Sequence, residues 1–189
     1  MIAAVLLKSA ACFSFLELTV PAQNSHKPVI IPAIGEKIPE IKLGNTDGRF
    51  MALSSLKGKM VLVDFWASWS GPCRMENPNL VLMYNKYKDT KFKNADGFEI
   101  YSISIDNQKE KWIAAIQKDN LYWPNHVSEL MYWNGKTTAA FGVKTLPANL
   151  LVDGEGTIVA KNITGWLLDS LGKSTHVSRL ENELKKYLN

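Results

Sequence analysis

An α/β domain, with a central mixed sheet flanked by helices, is what this 189-residue sequence predicts. Two observations lead there. The short, nearly all-apolar runs "MVLVDFWA" (60–67) and "FEIYSISID" (98–106) have the length and the Val, Ile and Phe content of strands buried on both faces. Segments of helical period alternate with them, and a pair of strands closes the chain before a last helix.

Taken in order, "IPEIKL", "NTDGR" and "FMAL" read as an N-terminal β-hairpin with Asp47-Gly48 as its turn. "SSLKGK" is a short helical turn closed by Gly58. After the first buried strand, a helix should start at Ser70 and run to about Asp89. Pro78 falls inside it and should kink it, because proline removes a backbone donor and crowds the preceding turn. "KEKWIAAIQKD" is an amphipathic helix, with Trp112, Ile113 and Ile116 on one face. "NGKTTAAFGV" is a short helix ended by Gly142. "LPANLLVD" and "TIVAKN" are strands joined at the "GEG" turn, and "SRLENELKKYL" is the C-terminal helix. There is no internal repeat and no low-complexity tract.

Composition narrows the class. Hydrophobic residues make up 46% of the chain and charged residues 21%, so it can build a core. A domain of this size buries roughly 70% of its unfolded surface and needs no disulfide or metal to fold. The net charge of +4 is scattered. Its densest stretch, "NKYKDTKFK" (85–93), reads as a solvated helix end, and no interleaving of Arg with aromatics points to nucleic acid. One Cys and three widely separated His (His26, His126, His176) outside the first 22 residues give no metal-ligand spacing.

The N-terminus reads as an export signal over residues 1–22. Ile2–Leu7 and Ser9–Val20 are apolar apart from Glu17, and "VPA" (20–22) places small residues where signal peptidase cuts, after Ala22. A rival reading makes Cys12, in "SAAC", a lipid-anchored cysteine, but Ser9 stands where a Leu-like residue is preferred. No uncharged apolar run reaches 18 residues, which argues against a transmembrane helix. Residues 23–33 then form a Pro-containing linker, and 34–189 the domain. Cleavage after Ala22 leaves Cys73 alone, with no internal disulfide open to it.

With these residues in hand, "VLVDFWASWSGPCRMENP" resembles the active-site segment of thioredoxins, and most of all the TlpA/ResA-like branch of bacterial envelope thioredoxins, with its redoxin (AhpC/TSA-type) domain. That branch shows a WCGPC core followed by R-x-E-x-P, here Arg74, Glu76 and Pro78. "GEKIPEIKLGNTDGRFMALSSLKGK" is similar to its opening hairpin, "ISIDNQKEKWIAAIQKDNLYW" to its central insertion, and "FGVKTLPANLLVDGEGTIVAKN" to its cis-proline strand and closing hairpin. The resemblance spans about residues 34–188. It implies a thioredoxin-like fold, thiol–disulfide oxidoreductase activity, no cofactor, protein thiols or disulfides as partners, and a periplasmic or cell-envelope location. Membrane contact would come only through the N-terminal segment. One departure stands out: Ser70 occupies the place of the first cysteine.

Thiol–disulfide exchange is attack of a thiolate on a disulfide, so the attacking thiol must ionise. A helix N-terminus lowers a cysteine pKa from about 8.5 to between about 3.5 and 7.5. In the family, Gly71 and Pro72 would set the bend that places the first thiol there, and the second thiol, three residues on, resolves the mixed disulfide. A serine hydroxyl forms no disulfide. It is a good helix N-cap, which is the residue-level reading of Ser70; there is no G-x-S-x-G and no histidine close in sequence to activate it. Cys73 matches the resolving cysteine. It is either an inert buried thiol or a single reactive one that forms a mixed disulfide or senses oxidant.

Asp64 lies in the middle of a buried strand, where a lone carboxylate is costly. By resemblance it accepts the proton of Cys73; otherwise it is a buried polar group satisfied by a neighbouring strand or by Lys59. Pro147 matches the family's cis-proline, which would present the Leu146 backbone beside Cys73 to an extended partner. Trp66 is expected in the core and Trp69 as a partly exposed platform. The aromatic-rich stretch 121–133 reads as core packing of the insertion, with a docking surface as the other reading, and His126 within it is expected to face solvent.

Three functions compete. The first is a ResA-like oxidoreductase impaired by Ser70 or working as a monothiol. The second is a redox-silent binding module that uses the cis-proline groove. The third is a peroxidase, since S-x-x-C is close to the T-x-x-C of peroxiredoxins; but their proline seven residues before the cysteine is here Trp66. An engineered Ser70 is disfavoured, because trapping variants keep the first cysteine and lose the second.

Overall fold

The computed structural model describes residues 31–168 and 174–189. The predicted leader, most of the linker, Cys12 and His26 lie outside them. β1 (Lys42–Asn45) and β2 (Phe50–Ala52) form the N-terminal hairpin. Asn45 Oδ1 accepts from the Asp47 and Arg49 N–H groups (3.0 and 2.8 Å), and Gly48 takes the positive φ of 82° that the turn needs. A 3-10 turn over Leu53–Leu56 leads to β3 (Met60–Trp66), then α1 (Gly71–Tyr87), which is a single helix through Pro78. A small hairpin of β4 (Lys91–Phe92) and β5 (Ala95–Asp96) precedes β6 (Phe98–Ser104) and α2 (Lys109–Lys118). β7 (His126–Ser128), α3 (Lys136–Ala140), β8 (Ala148–Val152) and β9 (Ile158–Lys161) complete the main body. A second hairpin, β10 (Trp166–Leu168) and β11 (Ser174–Ser178), leads into α4 (Arg179–Lys185).

Seven strands make one mixed sheet in the order β2-β1-β7-β6-β3-β8-β9. β3 runs parallel to β6 and antiparallel to β8, so it is paired on both sides and buried along its whole length. The strand period of two sorts its side chains. Met60, Leu62 and Trp66 enter a core with Cys73, Leu80 and Met83 of α1 and Leu180 and Leu184 of α4. Val61, Val63 and Phe65 enter the opposite core with Tyr101, Ile103 and Phe141. The helix-flanked mixed sheet predicted from the sequence is therefore present.

Three short elements differ from expectation. The basic stretch 85–93 ends α1 but then turns into β4, which buries Phe92. β7, inside the aromatic stretch, pairs in parallel with β6, and β10–β11 adds a hairpin before α4. Strands of two to five residues are too brief for alternation to show in sequence. His126 is a correction. It sits in β7 at 5% exposure, its ring stacked on Trp123 at 5.4 Å with Nε2 3.2 Å from the Leu121 carbonyl, and burial pushes its pKa down to about 4. Pairing with β6 on the inner side of the sheet overrides the local polarity of "PNH".

Candidate functional site

The site is assembled where β3 ends. Phe65 lies opposite Ala148 and Asp64 opposite Asn149 of β8, so Pro147 falls one step further, beside Trp66. The Leu146–Pro147 peptide bond is cis. From Trp66 the chain passes through Ala67, Ser68 and Trp69 and turns into α1, with the Ser70 N–H donating to the Ala67 carbonyl at 3.1 Å. Ser70 is the N-cap: its backbone is extended (φ −82°, ψ 103°) and its Oγ accepts from the Cys73 N–H at 3.4 Å. Gly71 and Pro72 open the helix and are exposed. Pro72, near the start of α1, leaves a missing donor where none is needed.

Cys73 lies one turn in and 1% exposed, within the core against which Leu146 also packs. Burial pushes its thiol up to about 11; the Ser70 hydroxyl opposes this shift, and the Asp64 carboxylate adds to it. Asp64 shares by alternation the face of β3 that α1 covers and is 3% exposed. Among the described residues none gives its carboxylate a hydrogen bond. Lys59 donates instead to the Asp96 carbonyl. Burial, and then the Glu76 carboxylate, push Asp64 up to about 7. Glu76 itself accepts from Asn79 Nδ2 (2.7 Å) and from the Gly165 N–H (3.1 Å), which ties α1 to the segment before β10.

The loop that carries Trp69 and Ser70 is braced from two sides. The Ser68 N–H and Oγ both donate to the buried Asp106 carboxylate (2.9 and 2.6 Å), which also accepts from Ser104 Oγ at 2.7 Å. Arg74 Nη1 donates to the Ser68 carbonyl at 3.0 Å and pairs with Asp119 at the end of α2, where Asn77 Nδ2 also donates at 2.7 Å. Burial would raise the Asp119 carboxyl, but the Arg74 and Asn77 bonds outweigh it and hold the group below its ordinary value.

Trp69 is 46% exposed, and its ring contacts those of Tyr132 (5.2 Å) and Trp133 (6.2 Å). Leu130 and Tyr132 hold positive φ values of 54° and 53°, rare for bulky side chains, so this shelf is built on a strained turn. Of the aromatic stretch, Trp123 thus packs in the core while Tyr132 and Trp133 meet the site loop. The structure brings Ser70, Cys73, Asp64, Trp69, Leu146 and Pro147 to one end of the sheet. Sequence reasoning missed the Asp106 and Asp119 braces, the closeness of Glu76 to Asp64, and Tyr132 and Trp133. The R-x-E-x-P pattern and the aromatic density of 121–133 were the available signals for the last three. Among the described residues, no three His, Cys, Asp or Glu side chains gather as a metal site would require.

Residues 34–161 match the model of the AhpC/TSA family. The chain belongs to that family. Its AhpC/TSA domain is similar to the thiol–disulfide oxidoreductase ResA of Bacillus subtilis (strain 168), with 32% identity over 137 residues, 72% of this chain and 70% of that one. ResA of Bacillus thuringiensis (strain Al Hakam) is 29% identical over 153 residues, 81% of this chain and 78% of its own. Among solved structures, the thioredoxin domain of a thiol–disulfide oxidoreductase from Bacteroides vulgatus superposes with a TM-score of 0.68 at 34% identity, covering 83% of this chain and 99% of that domain. A thiol:disulfide interchange protein from Bacteroides sp. gives 0.65 at 33% identity, with 85% and 93% covered. Within the AhpC/TSA family the chain is thus of the ResA-like, thioredoxin-fold kind.

Proposed function

We propose that this protein is a cell-envelope member of the ResA-like thiol–disulfide oxidoreductases in which conventional dithiol exchange is disabled. The observation that carries the reading is the pairing of Ser70 at the helix N-cap with a Cys73 buried behind it. Dithiol exchange needs two thiols. One, as thiolate, attacks a partner disulfide, forms a mixed disulfide and expels the partner's other sulfur as thiolate; the second attacks the mixed disulfide and frees the partner reduced. Ser70 has no sulfur for the first step. Cys73, protonated at neutral pH and shielded, is badly placed to take it over.

What remains is the frame. Trp69, Gly71 and Pro72 with Leu146–Pro147 offer an edge to which an extended protein segment bearing a thiol or disulfide can add. Asp64, near 7, is matched to take a proton from Cys73 once a thiol stands at position 70. Residues 1–22 act as the export signal, 23–33 as the linker and 34–189 as the working domain, which no described helix would carry across a membrane. A redox-silent binding role for the same edge is favoured by the low exposure of Cys73.

The test is insulin reduction by the parent chain and by Ser70→Cys. The parent should run at background. The variant should form a 70–73 disulfide and reduce insulin measurably, since the bend, the helix N-terminus and Asp64 are all in place. A variant that forms the disulfide yet exchanges nothing would mean that the frame has drifted, and a parent that turns over would refute the reading outright.

A further inference from the structure

Trp66, Trp112 and Trp123 are buried to 2% exposure or less. The rings around the site loop are not. Tyr132, like Trp69, keeps more than a third of its surface open, and its chain neighbour Met131 is 55% exposed. Tyr132 and Trp133 also touch each other, edge to face at 6.1 Å, so with Trp69 the three rings meet pairwise. Rings that served packing alone would be covered. The turn that presents them is held at both ends. The Leu130 N–H donates to Ser128 Oγ (2.9 Å), which donates to the Ser104 carbonyl of β6 (2.8 Å). The Glu129 carboxylate accepts from the Lys136 and Thr137 N–H groups at the start of α3 (3.0 and 2.9 Å), and an added Cβ on Gly135 would lie 2.5 Å from it. The Asn134 N–H closes a 3-10 turn on the Met131 carbonyl at 3.0 Å. These bonds enforce the positive φ of Leu130 and Tyr132, and the rings stand in place before any partner arrives.

The charges along this edge are unequal. Its carboxylates are engaged: Asp106 by Ser68 and Ser104, Asp119 by Arg74 and Asn77, and Glu129 by the two N–H groups of α3. Lys136, at the start of α3, and Lys144, two residues before Leu146, are exposed, and neither pairs with a carboxylate among the described residues. We propose that Trp69, Tyr132 and Trp133 are the specificity-determining surface of the partner edge, and that they select extended protein segments bearing an aromatic side chain and an acidic one on either side of the residue that faces position 70. The partner's ring packs on the open faces of Trp69 and Tyr132. The segment, added along Leu146, brings its carboxylate to Lys144. This rests on the reading of the edge as the place where a partner adds, but it needs no sulfur at position 70 or 73.

The test is binding of fluorescein-labelled, sulfur-free pentapeptides to the full chain, read by anisotropy. The probes carry Phe and Asp on the two sides of a central Ser, in both orders; in the controls Phe becomes Ala or Asp becomes Lys. The better Phe–Asp probe should bind roughly three- to tenfold tighter than its Ala control. It should also bind tighter than its Lys control, by a margin that shrinks as salt rises. Tyr132→Gly removes the ring yet suits the φ of 53°, so the turn survives; it should bring the Phe and Ala probes together, while Tyr132→Phe keeps them apart. Lys144→Glu should reverse the preference for Asp over Lys. Equal binding of the Phe and Ala probes overturns the proposal, as does a Phe preference that survives Tyr132→Gly, a preference for the Lys probe, or failure of every probe to bind. Insulin turnover by the parent would sink the redox reading and leave these affinities where they are, so the two failures are told apart.

Discussion

A cysteine at an ordinary 9 is about one-tenth thiolate one pH unit below that value. Held near 11, Cys73 carries about 100-fold less thiolate at the same pH, since each unit is a factor of ten. Its 1% exposure slows reagent access further, so the factor of about 100 is a lower bound on the effect. The assay is alkylation by iodoacetamide across pH, read at the peptide level by mass spectrometry so that Cys73 and Cys12 are resolved, beside a free-cysteine peptide. At about pH 8 the Cys73 rate should lie at least 100-fold below the control and should still be climbing at about pH 10. A plateau by about pH 9, or a rate within tenfold of the control near neutrality, would refute the buried-thiol reasoning. It would make Cys73 a working monothiol that attacks partners or oxidants directly.

Other expectations follow from the same geometry. Ser70→Ala removes the N-cap and should cost about 1 kcal/mol in urea denaturation, while pushing Cys73 higher still, because the hydroxyl that lowers it is gone. Asp64 is held near 7 against an ordinary 3.8, so between about pH 4 and pH 7 the folded state binds a proton that the unfolded state has lost, and stability falls as pH rises through that window. Asp64→Asn should thus be more stable than the parent at about pH 8, by up to about 4 kcal/mol, and equal to it near pH 4; a pH-independent difference in denaturation midpoints would count against the assignment. Asp119→Ala strips the carboxylate from Arg74 and leaves its partly buried guanidinium held by the Ser68 carbonyl without that ion pair, which should cost roughly 1–3 kcal/mol by thermal or urea unfolding and speed Cys73 alkylation as the loop loosens.

Much of this was legible in the chain. The runs at 60–67 and 98–106 announced themselves by being apolar on both faces, because a centrally paired strand has no solvent side to keep polar. Ser70 could be read as a cap because Ser-Gly-Pro after an apolar strand has few other uses. His126 could not be read. Its burial depends on β7 pairing with β6 and on Trp123 stacking beside it, contacts that link residues with no local periodicity. The Arg74–Asp119 and Ser68–Asp106 pairs bridge 45 and 38 residues, so nothing near any one partner signals the other. The strained turn at 130–132 is similarly silent, since Leu and Tyr are not residues that signal a positive φ.

Ser70 and Asp64 point in opposite directions, and the contrast bears on what the frame is for. At position 70 the fold has what it prefers: serine caps α1, and the core behind it is undisturbed. At position 64 it has what it resists. A carboxyl with no hydrogen-bond partner among the described residues, inside a strand paired on both sides and within the field of the Glu76 carboxylate, lowers stability as it ionises near neutral pH, and an asparagine of the same shape has no charge to bury. A scaffold shaped only by packing has no use for that carboxyl. A site that moves a proton does, and strongly shifted groups gather at such sites. The two readings therefore separate at Asp64 and not at Cys73. If Asp64→Asn gains stability and, in the Ser70→Cys background, leaves the rate of disulfide reduction and its pH profile unchanged, the carboxyl does nothing in exchange and the chain is a binding frame. If the rate falls and its pH dependence near 7 disappears, Asp64 is the proton acceptor of a site that lacks only its first sulfur.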